Sequence, residues 1–485
     1  MDPKGTKPGL MSRTRTAIRR RRKPITIMIV GGLGVYFGSC GVLCLLHPQA
    51  CFPPGISRGK LPVVFPRGFL FGTATSAHQI EGGNSNNDWW DFENQPGTIK
   101  NGDHSGTAAD AWNRIPGDIA LMKSIGANAY RFSIEWSRLE PQEGTYDQAA
   151  FDHYQNELRQ LHAAGITPMV TLLHFTLPKW LAARGGLLAP DFPERFAAFT
   201  HQAATRLGSQ ATLWCTINEP NVQMYNGYIE GIWPPGEHSK EHAVQAFAAL
   251  LRGHAAAAGV LHRELPGAQV GVAQHLIDFE PLSRLNLIDW YAAISAGDAF
   301  NWAFYDSIAA GRILFHATGF PSLDEPLASL AGSTDYFGMN YYRQELVGMG
   351  LSSPSLIKNV PGPGLKTDLG WEIHPEGLLQ LLRESYGRYK LPIYITENGL
   401  ANGNGAARVT FLDDHLYAVA MALQEGIPVK GYCHWSLLDN FEWAEGFAPR
   451  FGLYQVDYAT ETRKEGLGAA EFRRLSQQIL QRHDD

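Results

Sequence analysis

The chain has 485 residues, of which 44% are hydrophobic and 18% charged, a balance that excludes a largely disordered protein. The formal net charge of −6 hides an asymmetry, because residues 1–24 carry nine Lys or Arg and a single acid. The remaining residues keep 32 of the 41 basic and 46 of the 47 acidic side chains, which disfavours a nucleic-acid partner. Only two of the five cysteines, Cys215 and Cys433, lie outside the first 51 residues, so we expect no disulfide scaffold. No cysteine pair or Cys/His cluster has zinc-ligand spacing, so we expect no metal site.

The first sixty residues differ from the rest of the chain. Residues 1–24 are predicted to be a basic cytoplasmic tail, and residues 25–46 contain no charged side chain. A helix of that length crosses a bilayer core of roughly 30 Å, and the basic flank favours a cytoplasmic N-terminus. Residues 47–62 are rich in Pro and Gly and indicate a linker. We therefore expect a single-pass membrane protein with an extracytoplasmic body. The alternative is a cytoplasmic or secreted enzyme, whose first residues are a dispensable tail or result from a wrongly assigned start codon.

Residues 63–482 alternate short apolar runs with stretches of helical periodicity. In the helical stretches, such as Asp147–Ala164 and Glu376–Tyr389, apolar residues recur every three or four positions. Apolar strands between helices indicate a parallel sheet covered on both faces. Eight such units predict an α/β protein, a (β/α)₈ TIM barrel forming a single catalytic domain. The eight apolar runs are Phe69–Thr75, Asn128–Ile134, Thr167–Leu173, Leu213–Asn218, Gln269–Gln274, Asp335–Asn340, Pro392–Asn398 and Gly431–Leu437.

A doubly wound open sheet is the alternative architecture. Such sheets usually carry a Gly-rich phosphate turn of the form GxGxxG after the first strand. The sequence Gly-Thr-Ala-Thr at 72–75 lacks that spacing. The closed barrel is therefore the favoured prediction.

Almost every apolar run ends in polar or aromatic residues that are unusual in a strand. Because the carboxyl ends of barrel strands meet at one mouth, we expect these side chains to share a site. A single polar ending could be a turn or a helix cap. Polar endings on six or seven strands are hard to explain structurally, because each buried polar group needs a hydrogen-bond partner. In chain order the candidates are Gln79, Arg131, His174, Asn218, Glu219, Asn340, Tyr342, Glu397, Trp435, Glu442 and Trp443.

Two carboxylates stand out among these candidates. Glu219 and Glu397 each flank an asparagine at the end of a strand, and strands four and seven lie nearly across a barrel from each other. A pair of opposed carboxyl groups is the apparatus that cleaves a glycosidic bond. Trp435 and Trp443 offer flat apolar faces on which a sugar ring can stack. Since no phosphate cradle or basic cluster accompanies these motifs, the pattern favours a neutral sugar.

Taken together, these motifs resemble those of the family 1 glycoside hydrolases, the β-glucosidase-like retaining enzymes. The resemblance runs from about Phe65 to Leu475 and leaves the first sixty residues without a counterpart. The segments that carry it are 69–82, 130–138, 216–220, 395–399 and 439–453.

The resemblance implies a role for each candidate. Glu219 would be the acid/base and Glu397 the nucleophile, with Arg131, Asn340 and Tyr342 holding and ionising the nucleophile. Trp371 would form a wall on the aglycone side. The set that would bind the glycone, the sugar unit to be cleaved off, is Gln79, His174, Asn218, Trp435, Glu442 and Trp443.

The mechanism that these roles imply makes specific electrostatic demands. Arg131 should keep the pKa of Glu397 low, while the charge on Glu397 and partial burial should raise the pKa of Glu219. Terminal β-glycosyl residues of a small glycoside or oligosaccharide would then be hydrolysed with retention, without a cofactor. A transglycosylase with the same intermediate, or a non-catalytic sugar-binding relative, is the alternative. The sequence leaves the glycone open among glucose, galactose and fucose.

Overall fold

The computed structural model describes residues 32–53, 61–350, 356–403 and 405–480. Its centre is a sheet of eight parallel strands, each within two residues of a predicted apolar run at its start. In chain order they are β1 (Leu70–Ala74), β2 (Ala129–Ser133), β3 (Thr167–Leu173), β4 (Leu213–Asn218), β5 (Gln269–Pro281), β6 (Tyr336–Met349), β7 (Ile393–Asn398) and β8 (Val429–Trp435).

The sheet closes on itself. Each strand pairs in parallel with the next one along the chain, and β8 pairs with β1 through Leu70 to Ala74, opposite Gly431 to Trp435. At Gly72, a Cβ atom would lie 2.0 Å from the carbonyl oxygen of Ala129, so only glycine allows β1 and β2 to approach this closely. The predicted (β/α)₈ barrel is therefore confirmed and the open sheet is excluded.

Two strands are about twice as long as predicted. β5 continues past Gln274 to Pro281, and β6 continues past Asn340 to Met349. The extensions pair with each other beyond the mouth, from Asp278 opposite Gln344 to Pro281 opposite Val347. This raised ribbon forms one side of the entrance to the barrel.

Helices surround the barrel and bury their apolar faces against it. In Gln148–Ala163, the buried side chains Phe151, Tyr154, Leu158 and Leu161 recur at helical spacing, and the Asp147 carboxylate caps the first turn by accepting from the Ala150 N–H at 3.1 Å. The α-helices of at least six residues in the barrel domain are Asp88–Glu93, Ala111–Ser124, Gln148–Ala163, Phe192–Leu207, Pro220–Tyr228, Lys240–Glu264, Leu287–Ala296, Ala303–Ala310, Pro375–Tyr389, Ala406–Gln424 and Leu467–Leu480.

Short elements decorate the mouth and the outside. An antiparallel hairpin pairs Arg312–Phe315 with Leu323–Pro326, and Ile357–Val360 runs antiparallel to the end of β6. A second hairpin pairs Tyr454–Asp457 with Thr462–Glu465. A π-helical turn, Gly297–Trp302, joins helix Leu287–Ala296 to the next helix.

The N-terminal segment is described only in part. The predicted basic tail and residues 25–31 of the predicted membrane span lie outside the described residues, as do residues 54–60 of the linker. The rest of the span is the apolar helix Gly32–Leu46, and the transmembrane assignment stays a prediction. Among the described helices, one is long and apolar enough to cross a membrane, namely Lys240–Glu264. Of its most apolar 18-residue stretch, 72% is buried inside the protein.

The helix Gly32–Leu46 packs beside the barrel near its mouth. The Tyr36 hydroxyl donates to Asn286 Oδ1 and accepts from the Leu287 N–H, both at 3.1 Å. Cys40 is fully buried on this side, whereas the side chains on the other side are exposed, with Val35 at 72% and Leu45 at 82%. The helix is thus docked along one face and leaves an apolar face uncovered.

Candidate active site

The predicted site residues converge on one cavity of about 400 Å³ at the carboxyl ends of the strands. Arg131 and Asn340 are buried behind the catalytic pair rather than in the cavity wall. The ten predicted residues that line the cavity are Gln79, His174, Asn218, Glu219, Tyr342, Trp371, Glu397, Trp435, Glu442 and Trp443.

Glu397 lies at the end of β7 and is held from two sides. Arg131, from β2, donates from Nη1 to Glu397 Oε1, and the Tyr342 hydroxyl donates to Oε2 at 2.6 Å. The motif continues with Gly399, where a Cβ would lie 1.7 Å from the Trp435 carbonyl oxygen. The glycine therefore lets the chain leave β7 against the backbone of β8, which fixes the direction in which Glu397 projects.

Glu219 lies at the turn between β4 and helix Pro220–Tyr228. Its backbone has φ 43° and ψ 60°, a left-handed conformation that costs a non-glycine residue about 1 kcal/mol or more. Its N–H donates to the Ala273 carbonyl at 2.7 Å, which holds the turn in place. The strained turn directs the carboxyl group into the cavity, where Glu219 is 7% exposed.

The contacts of Asn340 correct one expectation. Asn340 was predicted to hold Glu397, but its amide donates to Glu219 Oε1 at 2.8 Å and to Asn218 Oδ1 at 3.2 Å. Its own carbonyl oxygen accepts from the Thr396 hydroxyl at 2.6 Å, which fixes the amide orientation. Although Asn340 lies opposite Glu397 in the β6–β7 register, the side chain turns toward β4. The residue thus positions the acid/base candidate.

The pKa order of the two carboxyl groups is the reverse of the expectation. Burial raises the pKa of Glu397 to about 7, because it outweighs the lowering by Arg131 and the charge of Glu219 adds to the rise. Burial also acts on Glu219, but His275 and Asn340 outweigh it and hold the Glu219 pKa below its ordinary value.

His275 is a site residue that the sequence analysis did not name. It follows the predicted end of the fifth strand, and its Nδ1 lies 2.9 Å from Glu219 Oε1. A His275 ring that carries a proton on Nδ1 donates to Glu219 Oε1 and stabilises the carboxylate. The pair Gln274-His275 is itself a polar ending to an apolar strand, so the signal used for the other strands could have found it.

One end of the cavity is polar. The Gln79 amide donates to Asn440 Oδ1 at 2.9 Å and to Glu442 Oε2 at 3.3 Å, and this fixes the last loop against the first strand. Burial, reinforced by the charges of Glu397 and Glu219, raises the pKa of Glu442 to about 8. Near neutral pH the Glu442 carboxyl group can therefore both donate and accept hydrogen bonds.

Aromatic rings complete this polar end. His174 lies between Trp435 and Trp443, with ring centroids 6.1 Å from each and nearly parallel planes. Burial lowers the pKa of His174, so the ring is neutral, and its Nε2 contacts Asn218 Nδ2 at 3.2 Å. Its buried Nδ1 has no hydrogen-bond partner among the described residues, which leaves it free for a ligand hydroxyl.

The other end of the cavity is apolar and was not foreseen. Trp371, predicted as a wall, lies here with its ring 5.7 Å from that of Tyr342 and beneath the Arg343 guanidinium. Farther out, most of the lining side chains from β5, the π-helical turn and the loops are aliphatic or aromatic, with the polar Asn226, Thr318 and Asn359 among them. The apolar lining residues from β5, the π-helical turn and the first hairpin are Ile277, Phe279, Phe300, Phe315 and Phe320.

The acidic and histidine side chains of the cavity also have to be considered as metal ligands. Within the described ranges, no group of three His, Cys, Asp or Glu side chains is arranged to hold a metal ion. The polar atoms at the centre instead hydrogen-bond to one another. The arrangement is suited to chemistry by two carboxyl groups.

Comparisons with known proteins agree with this geometry. The family model for glycosyl hydrolase family 1 matches residues 62–471. The chain is 34% identical over 421 residues to "Beta-glucosidase A" of Thermotoga maritima, covering 82% of this chain and 94% of that protein. It is 34% identical over 457 residues to "Beta-glucosidase 47" of Arabidopsis thaliana, covering 84% of each.

A solved structure matches equally well. The Thermotoga maritima β-glucosidase in complex with glucoimidazole superposes with a TM-score of 0.81 at 33% identity, covering 86% of this chain and 99% of that one. Fold, paired carboxyl groups and sequence agree over essentially the whole barrel, and the chain belongs to glycosyl hydrolase family 1.

Proposed function

We propose that this chain is a retaining β-glucosidase that hydrolyses terminal β-D-glucosyl residues, with Glu397 as nucleophile and Glu219 as acid/base. The observation that carries the assignment is the asymmetry between the two carboxyl groups. Glu397 is gripped on both oxygens by Arg131 and Tyr342, whereas Glu219 is contacted on one oxygen by Asn340 and His275. A group that must attack benefits from a fixed direction, and a group that moves a proton needs a free oxygen.

In the first step, Glu397 attacks the anomeric carbon while Glu219 protonates the departing oxygen. The bond from the anomeric carbon to the aglycone breaks, and an ester to Glu397 forms. The step requires the shared proton on Glu219. Asn340 and His275 contact Oε1, which leaves the other oxygen of Glu219 to carry the proton, and the Arg131 cation supports the Glu397 anion.

In the second step, Glu219 acts as a base. It removes a proton from water, and the water oxygen attacks the anomeric carbon and releases Glu397. Two inversions at one carbon give retention. His174, Gln79 and Glu442 supply hydrogen-bonding groups around the sugar, and Trp435 supplies an apolar face.

The assignment is tested by trapping the intermediate. A 2-deoxy-2-fluoro-glucosyl fluoride slows both steps and favours accumulation of the ester. Mass spectrometry of a digest should find one fluoroglucosyl unit on the peptide that contains Glu397. A label on the Glu219 peptide, or α-glucose as first product from a β-glucoside by NMR, would overturn it.

We also propose that residues 25–46 anchor the enzyme in a membrane, with residues 1–24 cytoplasmic and the barrel on the other side. Support comes from the uncharged stretch beside a basic flank. After carbonate washing, the full-length protein should remain in the membrane pellet. Its release into the supernatant would refute the anchor, and protease protection of the barrel in sealed spheroplasts would refute its orientation.

A further inference from the structure

We propose that the natural substrate is the β-glucoside of a long apolar alcohol, taken from a membrane surface, and that the apolar end of the cavity binds its chain. The proposal rests on the proposed β-glucosidase function and specifies the aglycone. By the apolar end we mean the part of the cavity lined by Ile277, Phe279 and Phe300.

The first observation is an apolar path that begins at the acid/base candidate. His275, Ile277 and Phe279 are alternate residues of β5, and all three line the cavity. Since a strand rises about 3.3 Å per residue, this path extends about 13 Å from His275 outward. An aglycone oxygen protonated by Glu219 is thereby placed at the inner end of an apolar wall.

The second observation is that the facing helix leaves room for a chain. Helix Leu287–Ala296 and the π-helical turn present small side chains to the cavity at a spacing of three or four residues, with the Phe300 ring at the end of the series. Phe300 lies with its ring 5.9 Å from His275 and 6.0 Å from Phe279. The small residues are Ala292, Ser295, Ala296 and Ala299.

The third observation is that the charges around this end are already neutralised within the protein. Arg343 Nε contacts Glu345 Oε1 at 2.6 Å. An oligosaccharide aglycone would bring hydroxyl groups against Ile277, Phe279 and Phe300, where they would lose hydrogen bonds to water. An alkyl chain has no hydrogen bonds to water and therefore loses none at this position.

The fourth observation is the surface outside the cavity. Leu285, Ile288 and Tyr291 expose 65%, 57% and 51% of their area. Ile288 and Tyr291 lie on helix Leu287–Ala296, and Leu285 lies just before it. Helix Gly32–Leu46 docks at the start of that same helix through Tyr36 and has its own exposed apolar face. This apolar surface lies next to the chain segment proposed as an anchor, so the mouth is placed to receive a lipid from the bilayer.

The first arm of the test measures kcat and KM for methyl to octyl β-glucosides below their micelle concentrations. We expect kcat/KM to rise about threefold to fourfold per methylene over several carbons, mostly through KM. A value that is flat or falls beyond ethyl, with good activity on methyl and nitrophenyl glucosides, refutes the lipid proposal alone. Absence of activity on every glucoside refutes the proposed function instead.

The second arm changes the apolar wall. Phe279→Asn should lower kcat/KM for octyl glucoside at least tenfold and leave methyl glucoside unchanged, and Ala299→Leu should do the same by filling the space. Leu467→Asn, at an exposed leucine outside the cavity, is the matched control. Equal effects of both wall variants on methyl and octyl glucosides would overturn the proposal.

The third arm separates a membrane source from a free amphiphile. Full-length enzyme is reconstituted into vesicles that contain a long-chain lipid β-glucoside, and glucose release is compared with that of enzyme lacking residues 1–60. We expect both forms to act equally on octyl glucoside and the shortened form to be at least tenfold slower on the vesicles. Equal rates on vesicles would contradict uptake from the membrane.

Discussion

The two ends of the cavity differ in how strongly their side chains are fixed. At the polar end, Gln79, Asn218 and Glu397 each make several hydrogen bonds. At the apolar end, the rings of Phe279 and Phe300 pack against each other with centroids 6.0 Å apart. Directional bonds permit few alternative arrangements, whereas apolar packing accepts many. The polar end therefore sets the chemistry, and the apolar end sets the preference among leaving groups.

The largest effect should come from removing the nucleophile. Glu397→Ala is expected to lower kcat by roughly 10⁴-fold or more, as removal of a nucleophile does in other enzymes. Added azide should restore part of the activity on a nitrophenyl glucoside and give the α-glucosyl azide, because the small anion occupies the vacated space. Near-normal turnover without azide would place the chemistry elsewhere.

The next effect should depend on the leaving group. Glu219→Gln keeps the shape but has no proton to give, so kcat/KM for an alkyl glucoside should fall roughly 10²–10⁴-fold. For dinitrophenyl glucoside, whose leaving group needs no proton, the loss in the glycosylation step should be much smaller. Equal losses on both substrates would remove the acid role from Glu219.

The pH dependence tests how strongly burial raises the pKa of the catalytic pair. Hydrolysis needs one proton on the pair, and the higher pKa of the pair is about 7, so kcat/KM should decline above pH 7 and approach tenfold per pH unit. Stopped assays from pH 5 to 9 with a nitrophenyl glucoside would measure it. A kcat/KM that stays flat up to pH 9 would contradict a pair that loses its last proton near pH 7.

A smaller effect is expected at His275. His275 helps hold the pKa of Glu219 below its ordinary value, so His275→Ala should raise the Glu219 pKa and shift the pH profile of kcat/KM to higher pH. Loss of the hydrogen bond to Glu219 should also lower kcat/KM about tenfold on alkyl glucosides. Phe175→Ala, in the same cavity wall, is a control that removes contact area without removing a contact to Glu219. An unchanged profile for His275→Ala would make it a packing residue.

The smallest effect should come from shortening the chain. Enzyme lacking residues 1–60 should keep its kcat/KM on methyl glucoside, because no residue of that segment lines the described cavity. Loss of Ala50 and of the Phe52 contact with Tyr417 should lower Tm by only a few degrees. Inactivity of the shortened form would show that the barrel depends on the segment.

The sequence alone predicted the barrel and the position of its site. Alternation of apolar strands with helices fixes the layer arrangement, because each face of a parallel sheet has to be covered. The strand endings then place Gln79, Glu219, Glu397 and Trp435 at one mouth, since parallel strands share an end. Both inferences use only local pattern and connectivity, and both agree with the structure.

Tertiary structure alone decided which side chain serves which carboxyl group. Asn340 contacts Glu219 instead of Glu397, and His275 joins the site, because side-chain direction at a strand end depends on neighbouring strands that are distant in sequence. The pKa order likewise follows from burial summed over the whole surroundings. The apolar end is formed by β5, a π-helical turn and a hairpin, none of which carries a motif, since apolar packing requires only shape and hydrophobicity.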